Sequence, residues 1–291
     1  MSGPSKKRPR PQSARHKPGR SFTPGDNPNP PRRKKSPRGI GGDQVEGRHA
    51  VRELLLAGTR ATREVVIAEE LERSDIIEDI EILANEFGVR VRRIGRRRLN
   101  GEAATESHQG VIARANPLPE HDIADIARKP DAFLLVLDGI TDPGNLGALL
   151  RTAECAGVTG VVLARHRSVH ITPTVTKAAA GAIEHLPMAV VGGIPNAITK
   201  LQEAGLIVVG LDAGGDTPVF DLPEQATGPI ALVMGDEGKG LSRLVRQRVD
   251  TVSAIPLCGE LNSLNVAAAT AVACFEVVRR RKAAAGANHD I

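Results

Sequence analysis

Tryptophan and tyrosine are absent from this 291-residue chain, and Phe22, Phe87, Phe133, Phe220 and Phe275 supply every aromatic ring. Stacking of bases on aromatic platforms is therefore excluded as a main mode of nucleic-acid contact; phosphates, arginine planes and shape would have to carry it. Cysteine is scarce as well. Cys155, Cys258 and Cys274 are odd in number and lack C-x-x-C spacing, which argues against a disulfide framework and a zinc site. The histidines are scattered without ligand spacing, so no metal is expected. No apolar run is long enough to cross a bilayer, and the basic N-terminus lacks the apolar core of a signal peptide. A soluble, cytoplasmic protein with no membrane partner is the expectation. No G-x-G-x-x-G follows the first strand of the C-terminal half and no G-x-x-x-x-G-K-[ST] occurs, which removes the main support for a dinucleotide or P-loop enzyme.

Charge is unevenly spread. The net charge is +5, but residues 1–40 hold twelve Lys or Arg against the single acid Asp26, so the other residues sum to −6. With many prolines and almost no apolar content, residues 1–42 are expected to be a disordered basic tail able to attract RNA phosphates through counterion release. A solubility tail is the plainer alternative. Residues 43–116 read as a small α/β domain: helical spacing at 50–57 and 74–87, and β-rich runs at 64–68, 89–94 and 110–114. Within it Arg90, Arg92, Arg93, Arg96, Arg97 and Arg98 form a cluster, either a phosphate-binding patch or a solvated face, although this domain carries twelve Arg against fourteen acids. Residues 117–130 look like a linker, and 286–291 like a tail.

From 131 to 285 strand and helix alternate. Candidate strands are 133–137, 160–163, 186–191, 206–211, 230–234 and 253–257, with helices beginning near Asn145, Thr172, Ile194, Leu241 and Val266. The pattern implies a mostly parallel sheet covered on both faces, with ligands bound beyond the carboxyl ends of its strands. The stretch from Ala231 to Lys282 organises this half. A buried strand runs into Gly235-Asp236-Glu237-Gly238-Lys239-Gly240, a second into Gly259-Glu260-Leu261-Asn262-Ser263-Leu264-Asn265, and an alanine-rich helix follows. Ser263 or Asn265 would cap that helix, and Arg279, Arg280, Arg281 and Lys282 would suit the negative end of its dipole.

These two loops, with Ile255-Pro256-Leu257 between them, resemble the second and third motifs of the SpoU branch of the SPOUT methyltransferases. An upstream strand followed by Asn145 and, six residues on, Arg151 resembles the first motif. The resemblance implies a C-terminal trefoil-knotted methyltransferase domain, a feature the hydrophobic pattern does not reveal. It also implies an N-terminal RNA-binding domain carrying Glu46-Gly47-Arg48-His49-Ala50-Val51 and His108-Gln109-Gly110-Val111, and a homodimer whose active site combines both chains. The implied activity is S-adenosylmethionine-dependent methylation of an RNA ribose 2′-hydroxyl. Large-subunit ribosomal RNA, often at guanosine, is the implied substrate, with transfer RNA as an alternative.

Implied roles follow the motifs. Arg151 lies nearest the reaction, where a guanidinium fork, which only donates, suits electrostatic stabilisation better than proton abstraction. Asn145 is a hydrogen-bonding residue of the site or simply a cap, Glu237 the acceptor that orients it, and Ser263 and Asn265 position the ribose. Gly235, Ile255 and Leu264 meet the cofactor, with Leu211, Asp212 and Ala213 as a further wall. Glu260, an acid close to where an RNA backbone would pass, is locally repulsive. A non-catalytic RNA-binding or ribosome-assembly factor on the same scaffold is the alternative from another class.

Overall fold

The computed structural model describes residues 39–166 and 170–287. Two sheets organise them. The first is built from β1 (Gln44–Glu46), β2 (Thr62–Ala68), β3 (Arg90–Ile94) and β4 (Val111–Ala115), in the order β1-β4-β2-β3, with β2 and β3 parallel and the other pairs antiparallel. Alternation along its strands divides two small cores. Val65, Ile67, Val111 and Ala113 face α1 (Arg48–Ala57) and α2 (Asp75–Glu86), while Val66, Ala68 and Ile112 face Leu99 of α3 (Arg96–Glu102). In α1 the buried residues Ala50, Val51, Leu54 and Leu55 repeat at helical spacing, which fixes the face it presents to the sheet.

The second sheet is parallel throughout. Its strands are β5 (Phe133–Leu137), β6 (Gly160–Ala164), β7 (Met188–Val191), β8 (Ile207–Leu211), β9 (Thr217–Pro218), β10 (Ile230–Met234) and β11 (Thr251–Ala254), in the order β7-β6-β5-β10-β8-β11-β9. Phe133, Leu135 and Leu137 enter one core with α5 (Pro143–Cys155), α6 (Pro173–Ala178) and α9 (Val266–Ala287). Leu134 and Val136 enter the other, with α4 (Ile123–Ala127), α7 (Ile194–Glu203) and α8 (Arg243–Arg246). Strands buried on both faces read as unbroken apolar runs, which is why β5 and β10 are plain in the sequence. Chain order and spatial order part at β10, which inserts between β5 and β8; the loops after β8, β10 and β11 leave the same rim side by side.

The two sheets share one compact unit and meet through a buried ion pair. Arg60 donates to both carboxylate oxygens of Glu184, at 2.8 and 2.6 Å, with the side chains 3% and 0% exposed. Removing one partner of such a pair strands the other charge and costs about 3–5 kcal/mol.

Several expectations need correction. The basic tail lies outside the described residues up to 38, but 39–42 are held: Gly42 N–H donates to the Ile171 carbonyl at 2.8 Å and Ile40 N–H to that of Leu118 at 3.1 Å. The stretch read as a linker contains α4, whose Ile123 and Ile126 are buried under the second sheet. Arg96, Arg97 and Arg98 begin a helix, α3, that charge had hidden. The last helix continues to Ala287, so Arg280 and Arg281 sit within it rather than at its end. There they donate to the carbonyls of Phe220, Leu222, Asp131, Ala132 and Gly228, tying the helix to neighbouring loops.

Candidate functional site

The glycine loop after β10 is pinned from three sides. Asp236 and Gly240 exchange backbone hydrogen bonds of 3.1 and 2.8 Å, and the Asp236 carboxylate accepts from the N–H groups of Gly238 and Lys239. Asp138, just past β5, accepts from Ser242 N–H at 2.9 Å. Asp212, just past β8, accepts from Leu241 N–H at 3.0 Å and Gly214 N–H at 2.9 Å, and pairs with Arg246 at 2.8 Å. Burial by itself would raise the pKa of Asp212, but the two backbone donors and then Arg246 outweigh it and hold the carboxyl below its ordinary value. Glycine is required at the closure. Gly240 has φ of 64°, and a side-chain carbon on Gly235 would run into the backbone of Gly240 and Leu241.

The loop after β11 is built differently. Residues 256–264 make no backbone–backbone hydrogen bond among the described residues, and all are exposed, Leu261 by 80%. The loop ends at Asn265, whose Oδ1 accepts from Ala267 N–H at 2.9 Å and so caps α9. Because that oxygen is committed to the helix, the amide nitrogen must face outward. It donates to Asn145 Oδ1 at 3.0 Å and to Glu237 Oε1 at 3.3 Å. Asn145 in turn donates to Glu237 Oε2 at 2.8 Å. The orientation of both amides follows from the cap, and the first turn of α5 and the end of the loop after β11 both close on the carboxylate of the glycine loop.

Asn145 is not the cap of α5. Asp142 is, accepting from Asn145 N–H at 2.6 Å with Pro143 at the first helical position, which frees the Asn145 side chain for Glu237. Arg151 is exposed on α5 and has no ionic or hydrogen-bonding partner among the described residues; Ser263, also exposed, has no hydrogen-bonding partner among them. The structure thus joins Asn145, Glu237 and Asn265 and leaves Arg151 and Ser263 outside their network.

Beside the network lies a cleft of about 360 Å³, within the range of small-molecule sites. Leu211, Met234, Ile255 and Leu264 give it apolar walls, and Gly235, Asp212, Ala213 and Ser263 also line it. Six of the sequence candidates for cofactor contact therefore share one cavity. Asp212 borders it with its carboxylate already engaged in holding the glycine loop. Asp138 and Asp142, the loop staple and the helix cap, were missed; an acid at a strand end followed by Pro-Gly and a helix was the available signal.

The arginine cluster is thinner than its sequence suggested. Arg92 pairs with Glu102 at 2.8 Å and Glu64 at 3.4 Å, and Arg93 with Glu81 at 2.6 Å. Glu102 is consequently held below the ordinary carboxylate range, chiefly by its hydrogen bonds from Arg92. Arg98 reaches Glu102 at 3.6 Å, while Arg90, Arg96 and Arg97 have no acidic partner for their side chains among the described residues. Arg92 and Arg93 are thus engaged by acids on β2, α2 and α3 that face them.

Comparison with known proteins defines the class. A family model described as the SpoU rRNA Methylase family matches residues 132–275, and one described as RNA 2'-O ribose methyltransferase substrate binding matches 44–121. The chain belongs to the SpoU rRNA methylase family. Among its relatives, the 23S rRNA (guanosine-2'-O-)-methyltransferase RlmB of Shewanella oneidensis is 39% identical over 244 residues, 82% of this chain and 98% of that protein. The protein of the same name from Escherichia coli is 38% identical over 243 residues, 82% of this chain and 99% of its own. Among solved structures, the SpoU methyltransferase AviRb from Streptomyces viridochromogenes, in complex with the cofactor AdoMet, is 27% identical with a TM-score of 0.68. The match covers 82% of this chain and 89% of that one.

Proposed function

We propose that the protein is an S-adenosylmethionine-dependent RNA methyltransferase that modifies a ribose 2′-hydroxyl, of a guanosine in 23S ribosomal RNA. The observation that carries the reading is the closure of Asn145 and Asn265 on Glu237, which lines the cleft, in a chain whose relatives over four-fifths of its length bear that activity as their name. The cleft fits the cofactor. Its walls suit a flat purine, and the loop over it offers backbone donors and acceptors that no other backbone group uses among the described residues.

S-adenosylmethionine supplies a methyl group already activated on a sulfonium, so no metal is called for. Gly235, Ile255 and Leu264 would hold it through backbone and apolar contacts, with Leu211, Asp212 and Ala213 behind. Glu237 fixes the two amides, which gives Asn145 and Asn265 one orientation before substrate arrives; that preorganisation is the residues' main contribution. Ser263 positions the ribose. Arg151 stabilises charge on the 2′ oxygen and the adjoining phosphate through its planar guanidinium fork.

Arg151 does so in a homodimer, serving the cleft of a second copy. Its lack of a side-chain partner among the described residues supports this, as do the exposed Leu257, Leu261, Leu264 and Phe275 on the loop after β11 and on α9. The insertion of β10 between β5 and β8, with α9 folded back onto α5, supports a trefoil knot in residues 131–285. Residues 43–116 form the substrate-binding domain. Arg90, Arg96 and Arg97, with the basic residues of 1–38, contact RNA phosphates; the site of action is the cytoplasm.

The test is incubation with labelled S-adenosylmethionine and, separately, ribosomal and transfer RNA, followed by mapping of the modified nucleotide. Label at one 23S guanosine ribose is expected. Label in transfer RNA alone would move the substrate, and cofactor binding without label in either RNA would favour a non-catalytic scaffold.

A further inference from the structure

The Arg60–Glu184 pair lines no part of the cleft and enters none of the roles above, yet it is the most completely satisfied polar contact between the two sheets. Arg60 spends its fork on four acceptors: the two Glu184 oxygens, the Gly42 carbonyl at 2.5 Å and the Asn116 carbonyl at 2.6 Å. Gly42 lies two residues before the first strand of the four-stranded sheet and Asn116 directly follows its last. Glu184 belongs to a 3₁₀ turn, Ala182–Glu184, that follows α6 against the seven-stranded sheet. One guanidinium therefore holds both chain crossings and the opposite layer at once.

Apolar side chains of similar volume would join the layers as firmly, and often more so, because two charges must be stripped of water to make this contact. What the planar fork adds is direction, since it donates along fixed angles only. Nearby contacts act on the same seam: Gly42 N–H donates to the Ile171 carbonyl, Lys177 bonds Ser107, and His185 lies 3.5 Å from Glu53.

We propose that Arg60 and Glu184 are a positioning pair that sets one fixed angle between the substrate-binding sheet and the cleft, and so selects RNA by the spacing between its bound element and the target ribose. The inference rests on the RNA methyltransferase reading and specifies how that site chooses its substrate. An RNA held by the first sheet reaches the cleft only when its own fold spans the distance this angle sets. A freely hinged domain would accept a range of spacings.

The experiment uses the full chain and the double variant Arg60→Met/Glu184→Leu, which keeps the seam filled but removes the fork, beside Arg60→Lys, which keeps a charge without bidentate geometry. Melting and calorimetry with S-adenosylmethionine establish that the cleft is intact. Methyl transfer is then measured on a long ribosomal RNA fragment and on a short one carrying little beyond the target nucleotide. Expected for the double variant are wild-type cofactor affinity, a fall of about ten- to a hundredfold in kcat/KM on the long RNA, and little change on the short one. Amide exchange should quicken around 40–42 and 116–118, and Arg60→Lys should fall between the two. Unchanged kcat/KM on the long RNA in the folded double variant would overturn the proposal. So would an equal loss on both RNAs together with weakened cofactor binding, which marks support of the fold and nothing more. If the wild type methylates no RNA, the parent reading fails and selection with it, while the exchange measurement still reports whether the pair fixes the seam.

Discussion

The two loops that border the cleft are unlike in how they are held. The glycine loop after β10 is secured by Asp138, Asp212 and Asp236, so its shape exists before any ligand arrives. The loop after β11 has no backbone ties over 256–264 and takes its position from Asn265 at one end and β11 at the other. The first loop is thus held along its length and the second only at its ends. The loop after β11 also carries the exposed side chains of Leu257, Leu261 and Leu264.

The sharpest blow to this contrast falls on its shared chemistry. Arg151→Ala should lower kcat by about 10²–10³-fold while leaving calorimetric affinity for S-adenosylmethionine intact, as loss of one preorganised charge donor does. Normal turnover would remove Arg151 from the site. Glu237→Ala should come close behind, because it releases both amides at once; its signature is additivity failure with Asn145→Ala in a double-mutant cycle.

Damage to the fixed loop should register in stability as well as activity. Gly235→Ala pushes a methyl group into the Gly240 backbone and should cost about 1–3 kcal/mol together with cofactor binding, read by melting and calorimetry. Asp212→Asn should cost about 1–2 kcal/mol. Its pH dependence has a definite sign. The folded-state pKa lies below the ordinary 3.8, so the carboxylate's contribution is complete above that value and is lost as acid titrates it below. The variant should therefore flatten the acid limb of the stability curve under about pH 4.

The smallest effects should appear in the free loop. Amide exchange over 256–264 should slow on cofactor addition, while 235–240 changes little; equal protection of both would erase the distinction. Leu261→Asp should weaken self-association in light scattering without altering the melting of the separated chain. Among the surface arginines, Arg96→Ala or Arg97→Ala should reduce the salt slope of RNA binding by about one each, and Arg93→Ala, already paired with Glu81, by less.

Much of this was legible in the chain. Unbroken apolar runs gave β5 and β10 to the residue, while the three members of the Asn145–Glu237–Asn265 network were named by the resemblance of their motifs to the SpoU family and not by periodicity. Short helices escaped: α3 looked like a charge cluster and α4 like a linker, since five to seven residues carry too little periodicity. The fates of Arg92, Arg93, Arg280 and Arg281 escaped too, their partners lying on other elements.

Local order along the chain determined the longer strands and the glycine turns, for those depend on neighbours a few positions away, but not the short β1 and β9, and the strand expected at 253–257 lies at Thr251–Ala254. Which carboxylate each arginine meets, which asparagine caps and which reaches across, and how Arg60 finds Glu184 were decided by packing alone. Those contacts join residues far apart in sequence, and no periodicity records a distance that exists only once the sheets have closed.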